Sequence, residues 1–289
     1  MRRKSWSVSS ILIAVVLLGI VAVMLYPFLY MISVSLSKNI YVMRGEVTWF
    51  PKEIDFSTYK LVLRDPRIGQ AYMNTLLYVT LGTLVSLVIT AFGAYSLSRR
   101  DMLFHKGFTL LIIFTMFFQG GMIPTFLAVK SLGIMDSVWA MVLPGAVSTW
   151  NLLVMRTFFV NFPTELEEAG RVDGLNDFGI FVRIVAPLSQ AVFATIGLFY
   201  AVAMWNNFTF PLLYLRDPDL FPLQVVLQNI VLAGVNANGD SMNVGSDAMV
   251  VDESLKYATI MVSTIPILVL YPMLQKYFVK GVMIGAVKG

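Results

Sequence analysis

Seven stretches of this chain carry no Asp, Glu, Lys, Arg or His: Ser5–Ser37, Ile68–Ser98, Gly107–Val129, Ser137–Met155, Ile184–Leu215, Leu220–Gly239 and Tyr257–Gln275. A helix crossing ~30 Å of hydrocarbon needs about 20 mostly apolar residues, so intervals of this length point to a bilayer. Composition agrees: 57% of the residues are hydrophobic and 13% charged, against about 25% charged in a soluble domain. The chain has no Cys. That excludes a disulfide scaffold, a Cys-based zinc site and a thiol enzyme.

Six intervals make convincing spans, at about 11–33, 72–97, 107–129, 138–158, 183–205 and 257–278. The seventh, from Phe221, holds Gln224, Gln228 and Asn229 in a short apolar run. It is too short and too polar to face lipid, and reads as an external amphipathic or re-entrant helix. The positive-inside rule tests the count. With six spans and the N-terminus inside, the inner face collects twelve of the 21 basic residues but only six of the 17 acidic ones. A seventh span would move Lys276, Lys280 and Lys288 outside. The N-terminal Arg2-Arg3-Lys4 and its apolar run lack a small-x-small cleavage site, so the first span is expected to be retained. The expected fold is an all-α membrane protein of one domain, with both termini cytoplasmic and external segments at about 34–71 and 207–256.

No charged side chain lies in the middle of any expected span. Ion-coupled carriers and proton pumps need such a group to bind the coupling ion, although backbone carbonyls of broken helices are an alternative. The chain also lacks a GxxxxGK[ST] loop, a GxSxG elbow and an HExxH pair. Neither catalytic nor metal-ligating residues are assigned, and His105 is expected to be a solvated loop residue. A channel would need a charge ring or a carbonyl filter, and neither is visible. A transporter without its own energy source must borrow one, which directs attention to the largest cytoplasmic loop, residues 162–187.

That loop opens with a helix-start signal, Thr164 with Glu167 three residues on, the spacing of a capping box. Leu166, Ala169 and Val172 follow at helical spacing, with acids in the first turn where the helix dipole favours them. Asp173-Gly174 should close the helix as a turn. A second segment then runs into the fifth span past Pro187. Three acids between 165 and 168 suit an anionic inner leaflet poorly and a protein partner well.

The loop resembles the EAA motif of ABC-importer permeases, E-A-A-x3-G-x9-I-x-L-P. Glu168, Ala169, Gly174, Ile184 and Pro187 stand at the matching spacing, and Asp173-Gly174 matches the common D-G. Gly170 replaces the second Ala and Ala186 replaces Leu, swaps that keep small for small and apolar for apolar. The segments GMIPTFLAVKSLGIMDS, LPGAVSTWNLLVMRTFF, AMWNNFTFPLLYL and KGVMIGAVKG extend the likeness to sugar-uptake permeases of the maltose-transporter type, in the complex-oligosaccharide subgroup. The resemblance implies a six-helix permease half in a bacterial cell membrane, paired with a second permease. Two ATPase subunits, which bind the ATP and Mg, would dock on the EAA loops, and an external solute-binding protein would deliver the sugar. It further implies that Glu168, Ala169, Gly170, Asp173, Gly174 and Pro187 form the ATPase contact. The tail Val287-Lys288-Gly289 would reach between the ATPases.

Sugar sites combine aromatic faces with amides. Asn74, Gln119, Trp150, Asn151, Trp205, Asn206 and Asn207 are the candidates within the spans, with helix–helix bonding as the competing role for Asn74 and Gln119. The Trp205-Asn206-Asn207 cluster is the densest. A lining of amides and indoles without Arg or Lys favours a neutral sugar, since a carboxylate would lose hydration without a cationic partner. The competing functions are an ion-coupled carrier or channel and a non-transport membrane scaffold or enzyme.

Overall fold

The computed structural model describes residues 8–99, 101–239 and 253–286. Its helices are α1 Val8–Leu36, α2 Asn39–Met43, α3 Ser57–Arg64, α4 Pro66–Ser98, α5 His105–Phe117, α6 Met122–Ser131, α7 Val138–Val142, α8 Thr149–Val160 and α9 Thr164–Val172. They continue with α10 Asp177–Ile180, a π-helical turn Phe181–Val185, α11 Ala186–Leu188, α12 Gln190–Trp205, α13 Thr209–Tyr214, a 3-10 turn Pro218–Leu220, α14 Leu223–Gly239 and α15 Glu253–Ala286. Among the described residues there is no β-strand, only the isolated antiparallel bridge Ser37–Ile54.

The chain divides into two compact units, one of residues 1–69 and 227–266, the other of 70–226 and 267–289. In the first, α1 is apolar all round, with Leu12, Leu18 and Val23 well exposed, as expected of a helix solvated by lipid tails. Its end is tied down by polar groups. The Ser33 hydroxyl donates to the Trp49 carbonyl at 2.9 Å, and the Lys52 N–H donates to the Ser37 hydroxyl at 3.0 Å. A small core of Val34, Val42 and Val47 forms beneath Tyr30, Tyr41 and Tyr257.

In the second unit, residues 70–98 of α4 present a face of small side chains. Ser86, Thr90, Ala91 and Ala94 are all buried. Small residues let helix backbones approach closely where no hydrophobic force separates protein from lipid. The main core forms there from Ala91, Ala94, Tyr95, Met155, Phe159, Ile180, Phe181, Val185, Val192, Ile196 and Tyr200.

Three of the expected spans are not single helices. Ile11–Leu36 and Pro66–Ser98 are the two uninterrupted helices long and apolar enough to cross a membrane among the described residues. The expected span 107–129 is α5 and α6, bent by 115° at Phe118–Gly121, where Gly120 and Gly121 weaken the helix. The expected span 138–158 is α7 and α8, separated at Pro144-Gly145. The expected span 183–205 bends by 84° between α11 and α12. Pro187 cannot donate a backbone hydrogen bond, and the chain passes through a π-helical turn just before it. The last helix begins at Glu253, earlier than the expected 257. The polar stretch from Phe221 includes the start of a helix, α14, as expected.

Candidate functional site

The loop helix α9 has two unlike faces. Glu167 and Gly170 are buried, whereas Glu165, Leu166, Glu168, Ala169 and Val172 are exposed. Val172 is 88% exposed at the end of the helix. The capping box expected from Thr164 and Glu167 does not form. Pro163 precedes the helix without a side-chain cap, and Thr164 is itself its first residue. Glu167 instead points inward and takes both guanidinium Nη atoms of Arg99, just past the end of α4.

This pair is well held. The guanidinium of Arg99 also lies over the Tyr95 ring, 4.3 Å from its centroid. Tyr95 in turn contacts Phe181, with ring centroids 4.9 Å apart. Burial works against the charge of Arg99, but the hydrogen bonds it donates to Glu167 and the Tyr95 neighbour keep its pKa above the ordinary guanidinium value. A bidentate Arg–carboxylate fork fixes orientation as well as distance. Arg99 and Tyr95 were not among the site residues legible in the sequence.

The end of α9 matches the sequence expectation. Gly174 has φ +82°, the Gly174 N–H donates to the Arg171 carbonyl at 3.0 Å, and the Leu175 N–H donates to the Gly170 carbonyl at 2.9 Å. These two bonds define a Schellman cap, with Gly174 at the left-handed position. The next segment starts at Asn176, whose side chain accepts from the Gly179 N–H at 2.8 Å. Of the six loop residues singled out, Glu168, Ala169, Asp173, Gly174 and Pro187 are exposed, while Gly170 is buried against Ile184 and Ile180.

His105 is not a free loop residue. It opens α5, and its Nε2 lies 3.0 Å from the Leu97 carbonyl and 3.3 Å from Arg156 Nη2. Arg156 Nε also donates to the Leu97 carbonyl, at 2.8 Å. The Leu97 carbonyl, left without an intrahelical partner at the end of α4, is therefore satisfied by side chains from α5 and α8.

The polar residues of the spans separate by role. Asn74 is buried, and its amide donates to the carbonyls of Asp219 at 2.7 Å and Phe221 at 3.1 Å. Trp205 is buried with its ring edge-on to Tyr72. Asn207 accepts from the Phe210 N–H in the first turn of α13 at 3.2 Å. Asn206 donates to the Val202 carbonyl of its own helix at 2.9 Å, and its residue is exposed. Asn151 is buried, whereas Gln119 and Trp150 are exposed. Val287, Lys288 and Gly289 lie outside the described residues.

The described residues thus form apolar helices, several of them broken, beside a polar helix α9 that is buried on one face and exposed on the other. Residues 103–284 match the family described as the binding-protein-dependent transport system inner membrane component, and the chain belongs to that family. It is 41% identical over 263 residues to the polygalacturonan/rhamnogalacturonan transport system permease protein YtcP of Bacillus subtilis (strain 168), covering 91% of this chain and 92% of the relative. It is also 41% identical to Protein LplC of the same organism, over 94% of this chain and 92% of that one. Among solved structures it resembles a chain of a bacterial ABC transporter involved in the import of the acidic polysaccharide alginate. The TM-score is 0.86 at 34% identity, covering 96% of this chain and 99% of the other. The chain is thus a permease component of an ABC importer, and the ion-coupled and scaffold alternatives are set aside.

Proposed function

We propose that this permease forms one half of the membrane pathway of an ATP-driven importer for uronate-containing oligosaccharides. The exposed face of α9 carries the proposal: Glu168, Ala169, Leu166 and Val172 stand outward while Glu167 and Gly170 hold the helix from behind. An apolar ridge flanked by acids is a surface for a protein partner rather than an anionic leaflet. The partner is an ATPase subunit, one of two, and it is these subunits that bind ATP and Mg. A second permease completes the pathway, an external solute-binding protein delivers the sugar, and Val287-Lys288-Gly289 contributes to ATPase docking. The chain is a single permease domain of six spans, several of them broken, with cytoplasmic termini in a bacterial cell membrane. Among the expected pathway residues, Gln119, Trp150 and Asn206 have the faces available to sugar. Asn74, Trp205 and Asn207 are occupied by protein contacts.

The substrate class follows the relatives. The absence of Arg or Lys at mid-span depth argues for a neutral sugar, but two similar proteins carry the names of acidic polysaccharide systems over nearly the whole chain. The missing cations would then come from the second permease. The test is ATPase activity of the reconstituted importer, stimulated by trigalacturonate or by maltotriose on the solute-binding protein. Stimulation by trigalacturonate supports the proposal, and stimulation by maltotriose alone overturns the acidic substrate. Glu168→Arg with Leu166→Glu should abolish co-purification of the ATPase subunits without changing the thermal midpoint of the permease. Retained co-purification would remove α9 from the contact.

A further inference from the structure

Helix α4 is fastened at both ends to segments that are distant in sequence. At one end, the Arg99 fork grips Glu167 on the buried face of α9, with only 24% and 7% of the two side chains exposed. At the other, three neighbouring residues of α4 hold the backbone of 219–223. Asn74 donates to the Asp219 and Phe221 carbonyls, Tyr78 Oη donates to the Leu220 carbonyl at 2.8 Å, and the Leu223 N–H donates to the Thr75 hydroxyl at 2.9 Å. That is a dense set of side-chain bonds to one short stretch, which runs from the 3-10 turn into α14. Between the two ends the helix is unbroken, from Pro66 to Ser98. At 1.5 Å per residue, Asn74 and Arg99 are about 37 Å apart along it.

We infer that α4 is a strut that delivers displacement of α9 to residues 219–223, with Arg99 and Asn74 as its positioning residues. Arg99–Glu167 suits the near end, because a bidentate fork resists rotation where a single ammonium contact would swivel. Thr90 and Tyr200 share a 2.7 Å hydrogen bond, which ties the middle of α4 to α12 so that the helix moves with its neighbour rather than bending alone. The far end has no comparable slack. Asn74 and Thr75 are both buried; Asn74 holds two carbonyls just before α14, and the Thr75 hydroxyl accepts from the first N–H of α14. Packed side chains, hydrogen-bond networks and rigid helices carry coupling over such distances, and α4 combines all three.

The inference rests on the reading of α9 as the ATPase contact, and its experiment separates the two. Asp219→Cys, exposed in a chain without native Cys, carries a bimane label in the importer purified with its ATPase subunits. In the parent, ATP with vanadate should change the bimane emission. Glu167→Gln, and separately Asn74→Ala, should reduce that change at least threefold while the ATPases still co-purify and ADP–vanadate is still trapped. Arg99→Lys and Thr75→Val are the milder variants where either substitution lowers yield, and they should reduce it about twofold. An unchanged response in the Glu167→Gln and Arg99→Lys proteins overturns the strut. A parent that traps vanadate but shows no response at position 219 overturns it as well. Failure of the ATPases to co-purify with the parent overturns the docking reading instead, and with it the source of the displacement.

Discussion

A Cβ placed on Gly170 would lie 2.7 Å from Cδ1 of Ile184, so the buried face of α9 closes on the following segment because this position has no side chain. The same Cβ would meet Ile180 Cγ1 at 3.3 Å. The second Ala of the EAA pattern is therefore replaced for a packing reason. Gly170→Ala should gain about 1 kcal/mol of helix propensity and lose a similar amount, about 1–3 kcal/mol, to overpacking. Ile184→Val removes the clashing methyl. Gly170→Ala should stabilise by about 1 kcal/mol in the Ile184→Val background and not in the parent. Thermal unfolding of the four proteins in detergent measures this coupling. Additive effects would mean that the two side chains do not compete for the same space.

Tyr200 joins three helical elements through one hydroxyl. It shares a hydrogen bond with Thr90 of α4 at 2.7 Å and accepts from the Ser148 N–H, just before α8, at 2.9 Å. Tyr200 is buried, so Tyr200→Phe would take away the acceptor of the part-buried Ser148 N–H as well as the bond to Thr90. The cost should be about 1–2 kcal/mol, larger than that of Thr90→Val, which removes a single interhelical bond worth roughly 0.6 kcal/mol. Equal losses for the two substitutions, measured as unfolding free energies in mixed micelles, would contradict this ranking.

How much of this could be read in advance differs from residue to residue. The uninterrupted helices α1 and α4 were legible because lipid solvation leaves long charge-free runs. The end of α9 was legible because Asp173-Gly174 is a local signal for a left-handed cap. The breaks at Gly120-Gly121, Pro144-Gly145 and Pro187 also have local signals, but their apolar surroundings outweighed them in a reading based on hydropathy. Glu167 was misread for a different reason. Its spacing from Thr164 fits a capping box, while its actual partner, Arg99, is 68 residues away, and nothing local announces that pairing. Asn74 shows the same limit: an amide in a span can face a sugar or a backbone carbonyl, and only the tertiary fold decides.

Asp136 has a left-handed φ of +54° and accepts from the backbone N–H groups of Arg216 at 2.7 Å and Asp217 at 3.1 Å. Those two donors hold its carboxylate pKa below the ordinary value. A group depressed on folding contributes stability that is complete above its unfolded pKa, near 4, and is lost as pH falls through the folded value. Limited proteolysis around residues 215–220 should therefore stay slow from pH 8 to pH 5 and accelerate below about pH 4. Asn tolerates left-handed φ and keeps an accepting oxygen. Asp136→Asn should consequently remain protected while losing the acid-dependent step. An unchanged acid step in Asp136→Asn would assign the effect to another group.

Sidedness gives the last test, and the structure supplies better positions for it than hydropathy does. Phe50 and Leu103 are 81% and 82% exposed, one before and one after α4 in sequence, and neither lies inside a helix. The six-span topology places position 50 outside and position 103 inside. Because the chain has no Cys, Phe50→Cys and Leu103→Cys each introduce a single reactive thiol. Replacing an exposed aromatic or Leu away from packed cores should change stability by no more than about 0.5 kcal/mol. In intact cells, a membrane-impermeant maleimide should label Phe50→Cys, and Leu103→Cys should react only after the membrane is opened. The reasoning depends on α4, whose 33 residues are long enough to carry the chain from one face to the other. Labelling of both positions from the same side would require α4 to return without crossing, and would discard the six-span topology together with the assignment of α9 to the ATPase side.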